Sequence, residues 1–291
     1  MTIDQLMIDA VDMHVHGALE PFDDARRIDL LALAKQAMAA GMKGVVIKSN
    51  RYGTGPLTLE INQQVNNPIL FGGLVLNDDV GGLNAAVVEA QARAGVKVVW
   101  LPTISAAEHI KIRGKDKLAL ASTGTEAGNG ISIIDADGKL VPQMSIILDV
   151  MRRNNLVLAT GHISKPEVVA VVREALRQQI KVIITHPLVG LPDPLLTLNE
   201  AKEWAEMGAY IESVFAVCMP PMLLSPDKMA GYIKTIGPEH CVLSTDFGQI
   251  FNPPATEGFH MMLAIMLMFG LNEHETSILV KDNPARILGL A

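Results

Sequence analysis

Residues 156–187 read LVLATGHISKPEVVAVVREALRQQIKVIITHP, and their reading decides the fold. The stretch opens on a short apolar run, LVLAT, and closes on another, KVIIT. Between them, PEVVAVVREALRQQ carries apolar residues at helical spacing and charges on the remaining face. Strand, amphipathic helix, strand is the pattern of two parallel strands joined by a crossover helix. Each apolar run reaches a histidine just before a loop, His162 in ATGHIS and His186 in IITHP.

The same rhythm extends in both directions. β-Branched runs recur in MIDAVDMHVH, KGVVIKS, ILFGGLVLN, VKVVWLPT, AYIESVF and CVLSTDFG. Helical stretches such as IDLLALAKQAMAAG, LNAAVVEAQARAG, VPQMSIILDVMRRNN, LNEAKEWAEMG and PDKMAGYIKTIG lie between most of them. Several end in glycine or asparagine, which suits a C-terminal cap. LTLEINQQVNN, between the second and third runs, has a weak period and reads as a short helix at most.

Eight strands alternating with helices make an α/β protein with a parallel sheet. The 291 residues suit one (β/α)8 TIM barrel, a fold of about 250 residues, with 1–291 as a single domain. The rival, an open doubly wound sheet, wants a glycine-rich phosphate turn after the first strand, and HVHGALEPFDD has no GxGxxG. Residues 104–141, after the fourth strand, break the rhythm; within them GISIIDADGKLV signals a hairpin around Asp-Gly. An insertion there sits at the barrel mouth and reads as a partial lid, with a plain surface hairpin as the alternative.

Composition removes several classes. A net charge of −7 gives no electrostatic footprint for nucleic acid. Cys218 and Cys241 form no CxxC pair, so neither a disulfide framework nor a thiolate metal knuckle is expected, and a cytoplasmic setting is the default. MTIDQLMIDAVD lacks the basic and apolar regions of a secretory signal. MMLAIMLMFG is far short of the roughly 20 apolar residues that span a bilayer. It reads as a buried helix or a contact between copies of the chain, which leaves a homo-oligomer open. A small-molecule substrate is expected, with neither nucleic acid nor membrane as partner.

The candidate site follows from where polar residues interrupt the strands. Residues i and i+2 of a strand share a face, so Asp12, His14 and His16 of VDMHVH are expected on one side. Two imidazoles about 7 Å apart along a strand end can bind one metal ion. His162, His186 and Asp246, the last in LSTDFG, hold the same place on the fifth, sixth and eighth strands. Imidazole nitrogen with carboxylate oxygen suits Zn²⁺ first, with Mn²⁺, Fe²⁺ or Ni²⁺ as alternatives. An open position on such an ion acidifies a bound water, and Asp246 is then general base, ligand or both. Asp12, deeper in the strand, is expected to support His14.

Two further strand ends carry charge: Lys48 in VVIKSN and Glu212 in YIESVF. Lys48 has three readings: a carboxylated metal bridge, a cation for an anionic substrate, or a Schiff-base former. Glu212 reads as ligand, acid/base group or orienting partner. A salt bridge inside the barrel is the plain alternative for both. Arg51 and His109 are candidate substrate-binding residues, and Glu108, Lys111, Arg113 and Lys115 make the proposed lid partly basic.

This constellation resembles the amidohydrolase superfamily, metal-dependent barrels with HxH on the first strand, histidines on the fifth and sixth and an aspartate on the eighth. His14, His16, His162, His186 and Asp246 match in that order, and VKDNPARILGL resembles the segment that often ends such barrels. The resemblance implies a hydrolase in which metal-activated water attacks an amide, lactone, ester or imine carbon. Its mononuclear members imply His14, His16, His162 and Asp246 on the metal and His186 on the substrate carbonyl or the water. One departure stands out: the fourth strand, VVWLPTIS, has neither the lysine nor the glutamate of binuclear members. One ion is then expected, or two with Lys48 as bridge. A metal-dependent decarboxylase or hydratase of a small carboxylic acid is the first alternative. A Schiff-base lyase built on Lys48 and a non-catalytic metal-binding protein follow.

Overall fold

The structure is a computed structural model that describes residues 2–17, 20, 25–113, 130–189 and 193–290. Eight strands form one parallel sheet in sequence order: β1 Val11–Val15, β2 Gly44–Ile47, β3 Leu70–Val75, β4 Val96–Trp100, β5 Val157–Ala159, β6 Val182–Ile184, β7 Tyr210–Val214 and β8 Cys241–Ser244. The ring closes just past β8. Asp246 N donates to His14 O (2.9 Å), and His16 N donates to Phe247 O (2.7 Å). This is the expected (β/α)8 barrel.

Strands buried on both faces explain the near-continuous β-branched runs. Val46, Val98, Trp100, Val157, Ile183 and Val242 pack inside the barrel. Their neighbours in the strands, such as Val45, Val99, Leu158, Ile184 and Leu243, pack outward against the helices. Both layers exclude water, and burying each such side chain contributes about 1.5–3 kcal/mol.

The helices in chain order are α1 Ile3–Met7, α2 Leu30–Ala39, α3 Gly55–Val65, α4 Ala85–Arg93, α5 Ala107–Arg113, α6 Pro142–Arg153, α7 Lys165–Arg177, α8 Leu198–Glu206, α9 Pro226–Ile236, α10 Ala255–Met268, α11 Glu273–Ser277 and α12 Asn283–Leu288. The βαβ unit of residues 156–187 forms as read. Ser164 and Glu167 make a capping box at the start of α7, and Pro166 occupies its first turn. Glu167 also accepts from Ile133 N (2.8 Å) and Ser132 Oγ (2.9 Å), tying the helix start to the segment that precedes α6.

Three expectations change. MIDAVDMHVH is not all strand: Thr2 caps α1 with Gln5 in a capping box, and the strand begins at Val11. LTLEINQQVNN is a full helix, α3, despite its weak period. Its start lies on a glycine strand, where a Cβ on Gly72 would come 2.6 Å from Gly55 Cα. Backbone contact fixes this helix in place of a broad apolar face. The GISIIDADGKLV hairpin shrinks to one antiparallel bridge, Ile134 with Leu140, around a turn in which Asp135 N donates to Lys139 O (2.8 Å). The centre of the expected lid, residues 114–129 with Lys115, lies outside the described residues, as does the Arg113 side chain.

Helix α10 buries Phe259, Met262, Leu263 and Met266 and leaves Met268 76% exposed, so its apolar sequence is only partly covered. Both cysteines are free and buried. Among the described residues no helix is long and apolar enough to cross a membrane.

Candidate metal centre

The first strand does not alternate cleanly. Asp12 pairs with Val45 and Val15 with Ile47, so β1 spends three steps where β2 spends two. A bulge of this kind shifts the inward and outward parity of the residues beyond it. Val11 and Met13 face the interior before the bulge; beyond it His14 also turns inward, its ring 5.5 Å from Trp100, while Val15 packs outward. Asp12 therefore does not share a face with His14 and His16, which corrects the simple i, i+2 reading. Its carboxylate accepts from Thr245 Oγ1 (2.6 Å), Thr245 N (3.1 Å) and His14 N (3.3 Å). Asp12 thus joins the ends of β1 and β8. Burial raises its carboxyl to about 7, against the pull of these hydrogen bonds.

Beyond the bulge, three side chains converge. His14 Nε2 and His16 Nε2 lie 3.2 Å and 3.1 Å from Asp246 Oδ1. The three ligand atoms lie within 4.8 Å of one another. His14 is held from behind: its Nδ1 lies 3.1 Å from Glu212 Oε1, and both side chains are almost fully buried. A neutral His14 donates its one proton to that carboxylate, which turns the Nε2 lone pair toward Asp246. Lys48, 2% exposed, donates to the same Nε2 at 3.1 Å and lies 5.6 Å from the Trp100 ring centroid.

This geometry fits a cation. His14 Nε2 and Asp246 Oδ1 are then two acceptors in contact, with no proton of their own between them. The His16 Nδ1 atom is buried without a hydrogen-bond partner among the described residues. Burial first, then Lys48, lowers the His16 imidazole to about 3, so it is neutral at physiological pH. Burial alone would raise Asp246; His14 first, then His16 and Lys48, outweigh it and hold the carboxyl well below its usual range. Burial also lowers Lys48, despite the carboxylates of Asp246 and Glu212 nearby. Neutral imidazoles with an ionised carboxylate are the forms that bind a divalent metal.

Around this cluster lie the other predicted residues. His162 follows β5, with its N donating to Pro102 O (2.9 Å), and its ring centroid is 5.3 Å from that of His186. His186 lies 6.4 Å from His14, centroid to centroid. Burial lowers both imidazoles; His186 and Lys48 push His162 down further, while at His186 the carboxylates of Asp246 and Glu212 oppose the shift. His186 and Asp246 adopt φ of 27° and 55°, unusual for residues with a Cβ and frequent at working sites. His109, on α5, places its Nδ1 3.1 Å from His162 Nδ1. Arg51 donates to Asp79 (3.2 Å), so part of its charge is already matched by a carboxylate after β3.

Sequence reasoning missed two supports. Asn77, fully buried after β3, donates to Asn50 O (3.0 Å) and Thr103 Oγ1 (2.9 Å) and accepts from Thr103 N (2.8 Å), joining the loops after β2, β3 and β4. Its place after the apolar run of LVLND was a usable signal. Glu20 accepts from Asn50 N (3.0 Å) and Ser49 Oγ (3.1 Å) and pairs with Arg26 (3.3 Å). No local pattern marks it, because its partners are distant in sequence.

Solved structures share this architecture. An amidohydrolase from Pseudomonas aeruginosa matches with a TM-score of 0.62 at 14% identity, over 99% of this chain and 98% of the other. The probable 2-pyrone-4,6-dicarboxylic acid hydrolase of Acinetobacter baumannii, with citric acid bound, matches at 0.60 and 14%, over 97% and 100%. The 2,6-dihydroxybenzoate decarboxylase of Rhizobium matches at 0.58 and 11%, over 97% and 98%. At these identities the likeness establishes the fold alone, a (β/α)8 barrel. No curated protein matches the chain in sequence. The chain belongs to the family of unknown function DUF6282, whose model matches residues 9–212. That span includes His14, His16, His162, His186 and Glu212 and ends before Asp246.

Proposed function

We propose that the protein is a metal-dependent hydrolase of a small, anionic carbonyl compound. The observation that carries this reading is the convergence of His14 Nε2, His16 Nε2 and Asp246 Oδ1, with Glu212 fixing the His14 ring. These three side chains would hold a divalent ion, zinc first, with manganese, iron or nickel as alternatives. When bound, the metal supplies Lewis-acid polarisation of a carbonyl and acidification of a water.

The chain's own groups supply the rest. Asp246, held ionised, takes a proton from the attacking water at a carboxylate oxygen and returns it to the leaving group. His186, presented after β6, donates to the oxygen on which charge develops. His162 stands beside it and narrows the mouth. Lys48, buried beside His14, attracts an anionic group of the substrate, and Arg51 and His109 lie on the loop side of the same mouth. A cytoplasmic setting and self-association through the part-exposed α10 belong to the same proposal.

A metal-dependent decarboxylase or hydratase is the second reading, favoured by the buried Lys48 cation, which could seat a carboxylate beside the centre, and by the shared fold with the Rhizobium decarboxylase. A Schiff-base lyase on Lys48 ranks below both, because the amine is engaged with His14. Incubating the metal-loaded protein with a panel of lactones, amides and aromatic carboxylic acids separates them. Ring opening or amide cleavage without gas release supports the hydrolase. Released CO₂ supports the decarboxylase and overturns the first reading. Borohydride trapping on Lys48 that persists after chelation would support the lyase.

A further inference from the structure

We infer that the protein is a two-fold dimer whose copies meet through antiparallel α10 helices, the Met268–Phe269 end of each seated in a groove beside the start of the other. This goes beyond the hydrolase reading and does not depend on it; it specifies the self-association proposed for α10. Helix α10 has two apolar faces. Phe259, Met262, Leu263 and Met266 face the core. At helical spacing on the opposite side lie Glu257, Met261, Ala264 and Met268, each part-exposed or exposed. From Gly258 to Asn272 the chain carries no Asp, Glu, Lys or Arg. Helix α8 shows what a solvated outer helix of this barrel presents to water: Lys202, Glu203 and Glu206, all exposed. An outer helix that turns methionines outward in place of charge has the pattern of a covered face.

The face is complementary to itself, which points to a second copy as its cover. An open groove of about 630 Å³ runs beside the start of α10, and Met7, Ile8, Ala40, Gly41, Glu257 and His260 are among the residues that line it. Ile8 is half exposed there. The other end of the helix supplies a ridge, Met268 and Phe269, 76% and 43% exposed. In a two-fold contact each patch meets its own counterpart reversed, so groove meets ridge twice. An axis at Ala264, a small residue within the stripe, lets the helices approach closely and sets Met261 of each copy against Met268 of the other. Charge follows the same symmetry. Glu257 and Gly270 lie about 10 Å to either side of Ala264, at roughly 1.5 Å per residue. Lys234 Nζ stands 3.7 Å from where a Cβ on Gly270 would lie. Antiparallel pairing therefore brings Lys234 of each copy towards Glu257 and Asp4 of the other. Asp4 lines the same groove, 3.1 Å from His260 Nε2. A stable dimer buries about 800 Å² per copy, more than one helix face offers, so α1, α2 and the end of α9 share the contact. The acidic rim and the net charge of −7 disfavour an anionic lipid surface as the occupant.

Sedimentation velocity of the full chain at micromolar concentration tests the dimer. Wild type should run at twice the chain mass of 31.3 kDa. Met268→Glu should weaken association at least about tenfold, the scale of burying an unpaired charge, with far-UV circular dichroism unchanged. Lys234→Glu and Glu257→Lys should each weaken it about fivefold, the scale of two exposed ion pairs, and the double variant should recover it. Ala264→Cys, on the axis, should link two chains by a disulfide under mild oxidation, the native cysteines being buried. A monomeric wild type overturns the dimer and leaves the face to a different protein. A dimer that Met268→Glu leaves intact and Ala264→Cys fails to cross-link also overturns it, and places self-association elsewhere. The metal content of the Met268→Glu monomer should equal that of wild type, so the dimer and the metal centre stand or fall separately.

Discussion

At the scale of residues, the chemistry turns on which His14 nitrogen carries the proton. Glu212 settles it through one contact of 3.1 Å, so its removal should act on the metal and not on the fold. Glu212→Ala is expected to weaken metal affinity about 10–100-fold, the usual effect of losing such an orienting partner. Glu212→Gln, which keeps an acceptor oxygen, should recover most of that loss in a chelator competition assay. Lys48 acts in the opposite direction. Its ammonium occupies the His14 lone pair that a metal needs. Lys48→Met should therefore tighten metal binding by about tenfold, the scale of one charged hydrogen bond, while turnover of an anionic substrate falls. Looser binding in Lys48→Met would show that the lysine supports the metal as a bridge. The identities of these residues were legible in the sequence, because a charge or imidazole at the end of a β-branched run has no packing reason to be there. Their pairings were not legible: Glu212 and His14 are 198 positions apart, and only barrel closure brings them together.

At the scale of elements, the bulge in β1 and the crowded end of β5 decide the site. Period-2 reasoning placed Asp12 with His14, and it failed because one extra residue in β1 shifts the parity. Nothing in VDMHVH announces that bulge. The β5 end is equally exacting. Gly161 has φ of 62°, and a Cβ there would fall 2.3 Å from Leu101 O. Gly161→Ala should cost roughly 1–3 kcal/mol and displace His162, read as a lower unfolding midpoint together with reduced turnover. Wild-type stability with unchanged turnover would remove the close approach from the account. Helix α3 shows the converse lesson. Its weak period hid a helix held by glycine-to-backbone contact, which no count of apolar residues detects.

At the scale of the molecule, the barrel was legible because strand–helix alternation repeats and parallel strands must be buried on both faces. What it positions is a group of imidazoles kept neutral by burial, and that has a consequence for stability. His16 is held to about 3 against an ordinary 6.5. Between those values the unfolded chain binds a proton that the folded chain does not, so stability of the metal-free protein should fall as pH drops through that window. The lowered values of His162 and His186 add to the same slope. Urea unfolding of metal-free protein from pH 7.5 to 4.5 should show it; a flat profile would mean the histidines are protonated when folded. The most direct test of the centre itself is elemental analysis of protein purified with and without His14→Ala/His16→Ala. The account predicts that the double variant loses one full equivalent of divalent metal with its fold intact. Undiminished metal in that variant would contradict it.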